Sequence, residues 1–468
     1  MNPIEKLASV ALLETIVVGN NMKINDVLTL KIEDYDHEGR GVALYEGFPV
    51  FVEKALVGET ILASVSYINS SYAKATIIKI IEESSKRNHK LCPYYASCGG
   101  CNIFHMDYEH QLEFKKNMVI KTFKNVARMD VKVNDVQRNP HPYHYRNKII
   151  VPFGMKDGHV VSGFYEAKSH NIVPQDSCLI ENELARPIIN LIKDELEQRN
   201  VSIYDENTHT GLVRNVMIRA TKNNDLMLVL VATRKNPVLN IILAKCFDTF
   251  KEIKSVYLNI NDKKTNVILN QDGFIHILGE KYIIEEINDL KFMVHPNSFL
   301  QVNHDQAEAM YNKALSYIEP SKNNVIDAYC GIGSITLNLA KRASHVYGIE
   351  VVRQAIDNAN ENKRLNNINN ASFICGKCED EITKLSRLEN IDTIVVDPPR
   401  KGCDTKFLDV IVKMKIKKII YISCLTQSLA RDAKYLRAYG YKVKEVTPFD
   451  LFSHSYHVET VCLLELKK

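Results

Sequence analysis
The stretch NVIDAYCGIGSITLNLA, residues 324–340, leaves few folds open. An apolar strand ends in Asp327, a glycine-rich turn follows, and the turn opens into a helix. From about residue 293 to the end, apolar strands and amphipathic helices alternate. That alternation predicts an α/β doubly wound parallel sheet, with ligands at the carboxyl ends of the strands. Gly331 and Gly333 let the backbone approach a ligand closely. The next strand, HVYGIE, ends in Glu350, about 20 residues further on, where a carboxylate can accept both hydroxyls of a ribose. Thr336 stands where a dinucleotide-binding G-x-G-x-x-G needs its third glycine. This weakens a pyrophosphate ligand and favours a nucleoside cofactor without phosphates, S-adenosylmethionine. An ordinary glycine turn of an α/β enzyme is the plainer reading of the segment alone.

Two more strand tips narrow the chemistry. IDTIVVDPPRKG places Asp397-Pro398-Pro399-Arg400 at the end of the fourth strand. The prolines stiffen the backbone beside the crevice. Amino-group methylases of adenine carry an aromatic residue after the two prolines, and Arg400 stands there instead. KKIIYISCLTQSLARD puts Cys424 at the tip of the fifth strand. A thiol is the best side-chain nucleophile near neutral pH. C5 of uracil is too poor in electrons to attack a methyl group unaided, but a thiolate adding to C6 makes C5 an enolate carbon. The C5 proton must then leave to a base. HSYHVETVCLLEL, the last strand, offers Glu459, with His457 two residues earlier on the same face. A desolvated carboxyl there can titrate towards neutrality. Taken singly, Cys424 reads as a buried strand-end thiol and Glu459 as a surface charge.

The chain has 468 residues, too many for one ordinary domain. Its 45% apolar content supports sizeable cores, and a net charge of +4 permits a polyanionic partner without requiring one. No apolar run of about 18 residues is present, so no membrane span is expected. Residues 1–21 read as a tail lacking a basic secretory n-region. Residues 22–82 form five short alternating runs punctuated by glycines and predict a small OB-like β-barrel. Residues 83–91 read as a polar linker, and 105–128 as a helix with Leu112, Val119 and Phe123 on one face. Between about 145 and 290 strands dominate, with one helix near 183–198, giving a β-rich central domain. Eleven cysteines, mostly scattered, suit a reducing cytoplasm better than a disulfide framework. Three of them, Cys92, Cys98 and Cys101, crowd into CPYYASCGGC. With a fourth ligand they could hold zinc or a four-iron cluster. Cys375 and Cys378 form a C-x2-C pair without a second pair and read as core or loop residues. PYHYRNKIIVPFG (142–154) mixes aromatics with Arg146 and Lys148, which reads equally as an RNA-contacting strip or a strand with a charged edge.

Together SFLQVN (298–303), DAYCGIG (327–333), GIE (348–350), DPPRKG (397–402), ISC (422–424) and HVETV (457–461) resemble the RNA uracil-C5 methyltransferase family over nearly the whole chain from residue 22. The nearest likeness is to the bacterial branch that acts on 23S ribosomal RNA and carries an iron–sulfur cluster. The resemblance implies that Gln301, Tyr329, Glu350 and Asp397 line S-adenosylmethionine, that Cys424 is the nucleophile and that Glu459 is the base. It implies that residues 22–82 are a TRAM domain, 83–292 a central domain with the iron–sulfur site and 293–468 the methyltransferase domain. It makes Cys178 the fourth ligand of a structural [4Fe-4S] cluster, beside Cys92, Cys98 and Cys101. The expected product is 5-methyluridine in RNA, made by a cytoplasmic monomer through a flipped or unpaired uridine. Transfer-RNA T-loop methylation and a non-catalytic RNA-binding assembly factor are the alternatives. Departures from the family pattern are Thr426 in place of a proline, Ser428 in place of a threonine, Ser453 and Ser455 before the base, and Lys377 where an acidic residue near the adenine is usual.

Overall fold
The computed structural model describes residues 22–320, 323–385 and 391–467, so the reading of residues 1–21 as a tail lies outside the described residues. Two compact units divide the chain. The first comprises the start of the chain to Tyr95, Cys101–Met118 and His454–Tyr456; the second comprises Ala96–Gly100, Val119–Ser453 and His457–Lys468.

In the first unit, β1 (Val27–Lys31), β2 (Asp34–Tyr35), β3 (Gly41–Tyr45), β4 (Phe48–Val52), β5 (Thr60–Ile68) and β6 (Ala73–Glu82) form one sheet, ordered β1-β5-β6-β4-β3-β2. Burial alternates along β1 and β4, as expected of strands with one face on a core. Leu30, Ile32, Val50, Val52 and Ile61 fill that core. The N–H of Glu33 donates to the carbonyl of Val42, curling the sheet between β1 and β3. The polar run 83–91 is fastened rather than loose. Arg87 grips the buried Glu59 through two contacts of 2.7 Å, a forked pairing that a flexible linker does not make. Helix α1 (Tyr108–Thr122) begins later than the apolar pattern predicts, because Asp107 caps it by accepting the N–H of His110 at 2.7 Å. A single π-helical turn, Phe123–Ala127, closes it.

The second unit contains two large sheets. The first is built from β7 (Lys148–Lys156), β8 (His159–Ser162), β9 (Val213–Ala220), β10 (Leu226–Ala232), β11 (Ile253–Ile260) and β12 (Phe274–Gly279), ordered β12-β11-β10-β9-β7-β8. Helices α2 (Ala185–Gln198) and α3 (Pro237–Thr249) pack on it around Ile188, Ile192, Leu239 and Ile242. Helix α3 is absent from the sequence reading, because a short apolar run such as VLNIILA fits strand and helix alike. Its start was legible: Asn236 caps the N–H of Val238 at 3.0 Å, and Pro237 occupies the first turn.

After the hairpin β13 (Ile283–Ile287) and β14 (Leu290–Val294) comes α4 (His304–Ser316), and then the doubly wound sheet. Its elements are β15 (Asn324–Ala328), α5 (Ser334–Leu339), β16 (His345–Glu350), α6 (Arg353–Leu365), β17 (Ala371–Cys375), α7 (Cys378–Leu385), β18 (Ile391–Val396), α8 (Thr405–Lys413), β19 (Lys418–Ser423), α9 (Thr426–Ala438), β20 (Tyr441–Phe449) and β21 (Glu459–Leu466). The strand order is β17-β16-β15-β18-β19-β21-β20, with β15 to β19 parallel and β21 antiparallel to both neighbours. Nearly continuous apolar runs such as KIIYIS suit strands buried on both faces. No helix among the described residues is long and apolar enough to cross a membrane.

Candidate active site
The order of this sheet reverses beside β15, and crevices at such reversals hold ligands at the carboxyl ends of strands. Register shows which side chains meet there. Ala328 lies opposite both Ile349 and Val396, so Tyr329, Glu350 and Asp397 emerge together. Ser423 lies opposite Thr460 across the antiparallel pair, which brings Cys424, the next residue of β19, level with Glu459 of β21. The insertion of β21 beside β19 therefore sets thiol and carboxyl on adjacent tips.

The cofactor turn is held by its own backbone. Tyr329, Gly331 and Gly333 all have positive φ, at 67°, 54° and 84°. The N–H of Gly331 donates to Glu350 Oε2 at 3.3 Å, and Glu350 Oε1 accepts the N–H of Val352 at 3.0 Å. Two oxygens carry more acceptor capacity than these bonds use, so ribose hydroxyls remain compatible. The two glycines serve different needs. A Cβ on Gly331 meets nothing within 4 Å, so that glycine leaves an open cradle, whereas a Cβ on Gly333 falls 2.7 Å from the Phe373 ring. Thr336, which argued against a pyrophosphate, donates its hydroxyl to Asp327 Oδ2 at 2.5 Å. The other oxygen of Asp327 is buried without a hydrogen-bond partner. The open cradle, the carboxylate at the β16 tip and the acidic crevice fit an adenosyl sulfonium.

Gln301 sits apart from these tips in sequence, just before the Asn303 cap of α4. Its carbonyl accepts the Asn147 amide at 2.9 Å, and Asn303 donates to the carbonyl of Leu451 at 3.3 Å, beyond the end of β20.

Burial sets the protonation of the crevice. It pushes Glu459 up to about 8, with Asp397 raising it further and Arg400 opposing. Asp397 is pushed up to about 7 by burial alone, and Asp327 to about 7 chiefly by burial, against its bond from Thr336. The Cys424 thiol is pushed up to about 11, first by burial and then by Glu459 and Asp397, again against Arg400. These carboxyls hold protons near neutrality, and a cation bound among them favours both the carboxylates and the thiolate. The N-terminus of α9 begins two residues after Cys424 and pulls in the same direction.

Sequence reasoning singled out Arg400 only as the residue that replaces an aromatic, yet it is a cation that acts on both Cys424 and Glu459. Strand β21 begins at Glu459, two residues after His457, whose ring packs edge-on against Phe452 at 5.9 Å. The serines that depart from the family pattern support the loops. Ser428 donates to the Leu425 carbonyl at 2.8 Å, and Ser453 donates to Asp450 at 2.6 Å while accepting from Asn139 at 3.0 Å.

In PYHYRNK the structure separates the aromatics. Tyr145 is buried with its hydroxyl donating to the Ser453 carbonyl at 3.0 Å, and Tyr143 is exposed. Burial, with Arg219 nearby, pushes the Lys148 ammonium down to about 7, so it is a poor phosphate contact.

The cysteines of the opening cluster are divided: Cys92 and Cys101 belong to the first unit, Cys98 and Cys178 to the second. All eleven cysteines are thiols rather than disulfides. Four thiols suit zinc or a four-iron cluster as a donor set. Among the described residues, however, no three His, Cys, Asp or Glu side chains converge as a bound metal requires. Cys98 Sγ instead accepts the N–H of Gly100 at 3.4 Å, and burial pushes the Cys178 thiol up to about 12. Cys375 ends β17, and Cys378 is buried at the start of α7.

Comparisons with known proteins agree with this arrangement. The TRAM domain matches residues 22–78, and the family described as tRNA (Uracil-5-)-methyltransferase matches residues 107–467. An uncharacterized RNA methyltransferase of Oceanobacillus iheyensis is 40% identical over 449 residues, spanning 95% of this chain and 97% of its own. Another, from Clostridium tetani, is 40% identical over 447 residues, with 95% and 97% covered. The structure of Pyrococcus abyssi tRNA (uracil-54, C5)-methyltransferase in complex with S-adenosyl-L-homocysteine matches at a TM-score of 0.75 and 26% identity, covering 93% of this chain and 99% of that one. With a glycine-rich turn at the first strand tip, a thiol and a carboxyl on adjacent strand tips, and family matches over most of its length, the chain belongs to the tRNA (uracil-5-)-methyltransferase family.

Proposed function
We propose that the protein methylates C5 of a uridine in 23S ribosomal RNA through a covalent Cys424 adduct. The observation that carries this is the level placement of Cys424 and Glu459 on adjacent strand tips. S-adenosylmethionine, held by Gln301, Tyr329, Glu350 and Asp397, supplies the methyl group as a sulfonium. The Cys424 thiolate adds to C6, and the C5–C6 π pair becomes an enolate centred on C5. C5 takes the methyl, Glu459 accepts the C5 proton, and the returning electron pair expels the thiolate and restores the ring. Arg400 offsets the charge of the neighbouring carboxylates while the thiolate forms.

Residues 22–82 act as the RNA-gripping barrel, 83–292 as the central domain and 293–468 as the catalytic domain of a cytoplasmic monomer. Cys92, Cys98 and Cys101, on their spacing, and Cys178, on the family resemblance, are the proposed ligands of a structural [4Fe-4S] cluster, which the resemblance favours over zinc. Iron and sulfide in anaerobically purified protein test it, and zinc without sulfide overturns it. Methyl transfer from labelled S-adenosylmethionine to unmodified ribosomal and transfer RNA, followed by mapping of the labelled base, tests the substrate. Label confined to transfer RNA replaces the substrate and keeps the chemistry. Label in neither removes the reading.

A further inference from the structure
A second cavity, of about 480 Å³, opens in the same unit as the catalytic sheet. That volume lies within the range of about 300–1,000 Å³ usual for small-ligand sites. Tyr143, 45% exposed, and His144 line one part of it. His144 holds a positive φ of 54°, unfavourable for a residue with a side chain. Two bonds keep it there: its N–H donates to the Leu179 carbonyl at 2.8 Å, and its ring Nδ1 lies 2.9 Å from the Glu181 carbonyl. A carbonyl only accepts, so Nδ1 carries a proton. Asn224 also lines the cavity; its carbonyl accepts the Asn182 amide at 3.0 Å, so its own NH2 keeps two donors.

The charge balance narrows the ligand. Lys222 lines the cavity, but its ammonium is already paired with Glu308 at 3.0 Å, while Glu183 and Asp305 contribute two carboxylates. No lysine or arginine among the lining residues is left over for a phosphate. A flat neutral ring with hydrogen-bond donors is suited: tyrosine offers a stacking face, and carboxylates accept from exocyclic amines. Uracil has no such amine.

Resting on the reading that the substrate is RNA, we propose that this cavity takes an unpaired adenine, cytosine or guanine neighbouring the target uridine. The link to the catalytic crevice is short in chain terms. Asn147, on the cavity wall, donates to the Gln301 carbonyl at 2.9 Å, and the lining residues Asn303 to Asp305 begin two positions after Gln301.

The test uses fluorescein-labelled oligoadenylate, oligocytidylate and oligouridylate, with anisotropy as readout, on the full chain and on Tyr143→Ala, Tyr143→Phe and Glu183→Gln. The wild type is expected to bind the first two about tenfold more tightly than oligouridylate, and Tyr143→Ala to lose about that factor on those two alone. Tyr143→Phe keeps the ring and should bind as wild type, while Glu183→Gln should narrow the preference. For the natural RNA, KM should rise in Tyr143→Ala at unchanged kcat and unchanged S-adenosylmethionine affinity. Equal binding of all three oligonucleotides by the wild type, or Tyr143→Ala and Glu183→Gln both indistinguishable from it, overturns the inference. A base preference without any methyl transfer leaves the cavity standing and removes the uridine-methylation reading instead.

Discussion

Replacing Glu459 with glutamine separates the chemistry of this carboxyl from its thermodynamics. Glu459 is buried at the head of β21, and its proton is held up to about pH 8, against about 4.5 for an unburied carboxyl. The folded chain therefore binds a proton that the unfolded chain releases, and wild-type stability falls as the pH rises through that window. At about 1.36 kcal/mol per pH unit, the displacement amounts to roughly 5 kcal/mol, an upper bound because a buried site relaxes and admits water on ionising. Glutamine keeps the shape and has no proton to lose. Glu459→Gln should match the wild type near pH 4.5 and exceed it by about 2–4 kcal/mol at pH 8.5, read from urea unfolding of the second unit. In the same variant, turnover should stop after methyl transfer, because the C5 proton has no acceptor. Incubation with labelled RNA and S-adenosylmethionine should then accumulate a protein–RNA adduct that survives denaturing electrophoresis. Equal stability at both pH values refutes the burial argument, and adduct-free turnover at the wild-type rate refutes the role of the base.

Cys424→Ala should lower methyl transfer by about 10³-fold or more while S-adenosylmethionine binding, followed by calorimetry, persists. Alkylation of Cys424 by iodoacetamide, followed by peptide mass spectrometry, should be slow at pH 7 and rise towards pH 11 in the free protein, then accelerate when S-adenosylmethionine brings a cation to the crevice. Gly333→Ala, with a positive φ of 84° and a Cβ 2.7 Å from the Phe373 ring, should cost about 1 kcal/mol or more and weaken cofactor binding, seen as a lower melting temperature and a larger Kd. Thr426→Pro should stabilise by about 0.5–1 kcal/mol at unchanged activity. Thr426 is the first residue of α9, its hydroxyl is buried without a partner, and Leu425 before it is extended at φ −140° and ψ 103°, as a residue preceding proline prefers.

Much of the site was legible because it lies at places where local sequence and backbone geometry coincide. DAYCGIG, GIE and DPPR each end a strand, and in a parallel sheet every strand of one direction delivers its tip to the same edge. Cys424 could be placed there from KKIIYIS alone. Short-range preference could not separate α3 from a strand, because a short, largely apolar run satisfies both periods. Nor could it give a partner to the polar run 83–91, where Arg87 is drawn to a glutamate 28 residues earlier in the chain. Composition shows a charge but not the partner that folding brings to it.

The sequence by itself determined the doubly wound sheet, the glycine turn after its first strand, and the strand-end thiol and carboxyl proposed to act there, since apolar runs, glycines and strand-end residues act through their immediate neighbours. Only the tertiary structure decided which side chains share an environment. Sheet order brings β21 beside β19 and so sets Glu459 level with Cys424. Burial, a property of the packed unit, then raises the Glu459 carboxyl to about 8 and the Cys424 thiol to about 11. It also turns Tyr145 inward and leaves Tyr143 exposed at a cavity. Those outcomes depend on residues far apart along the chain, and on the loss of water that only the complete fold imposes.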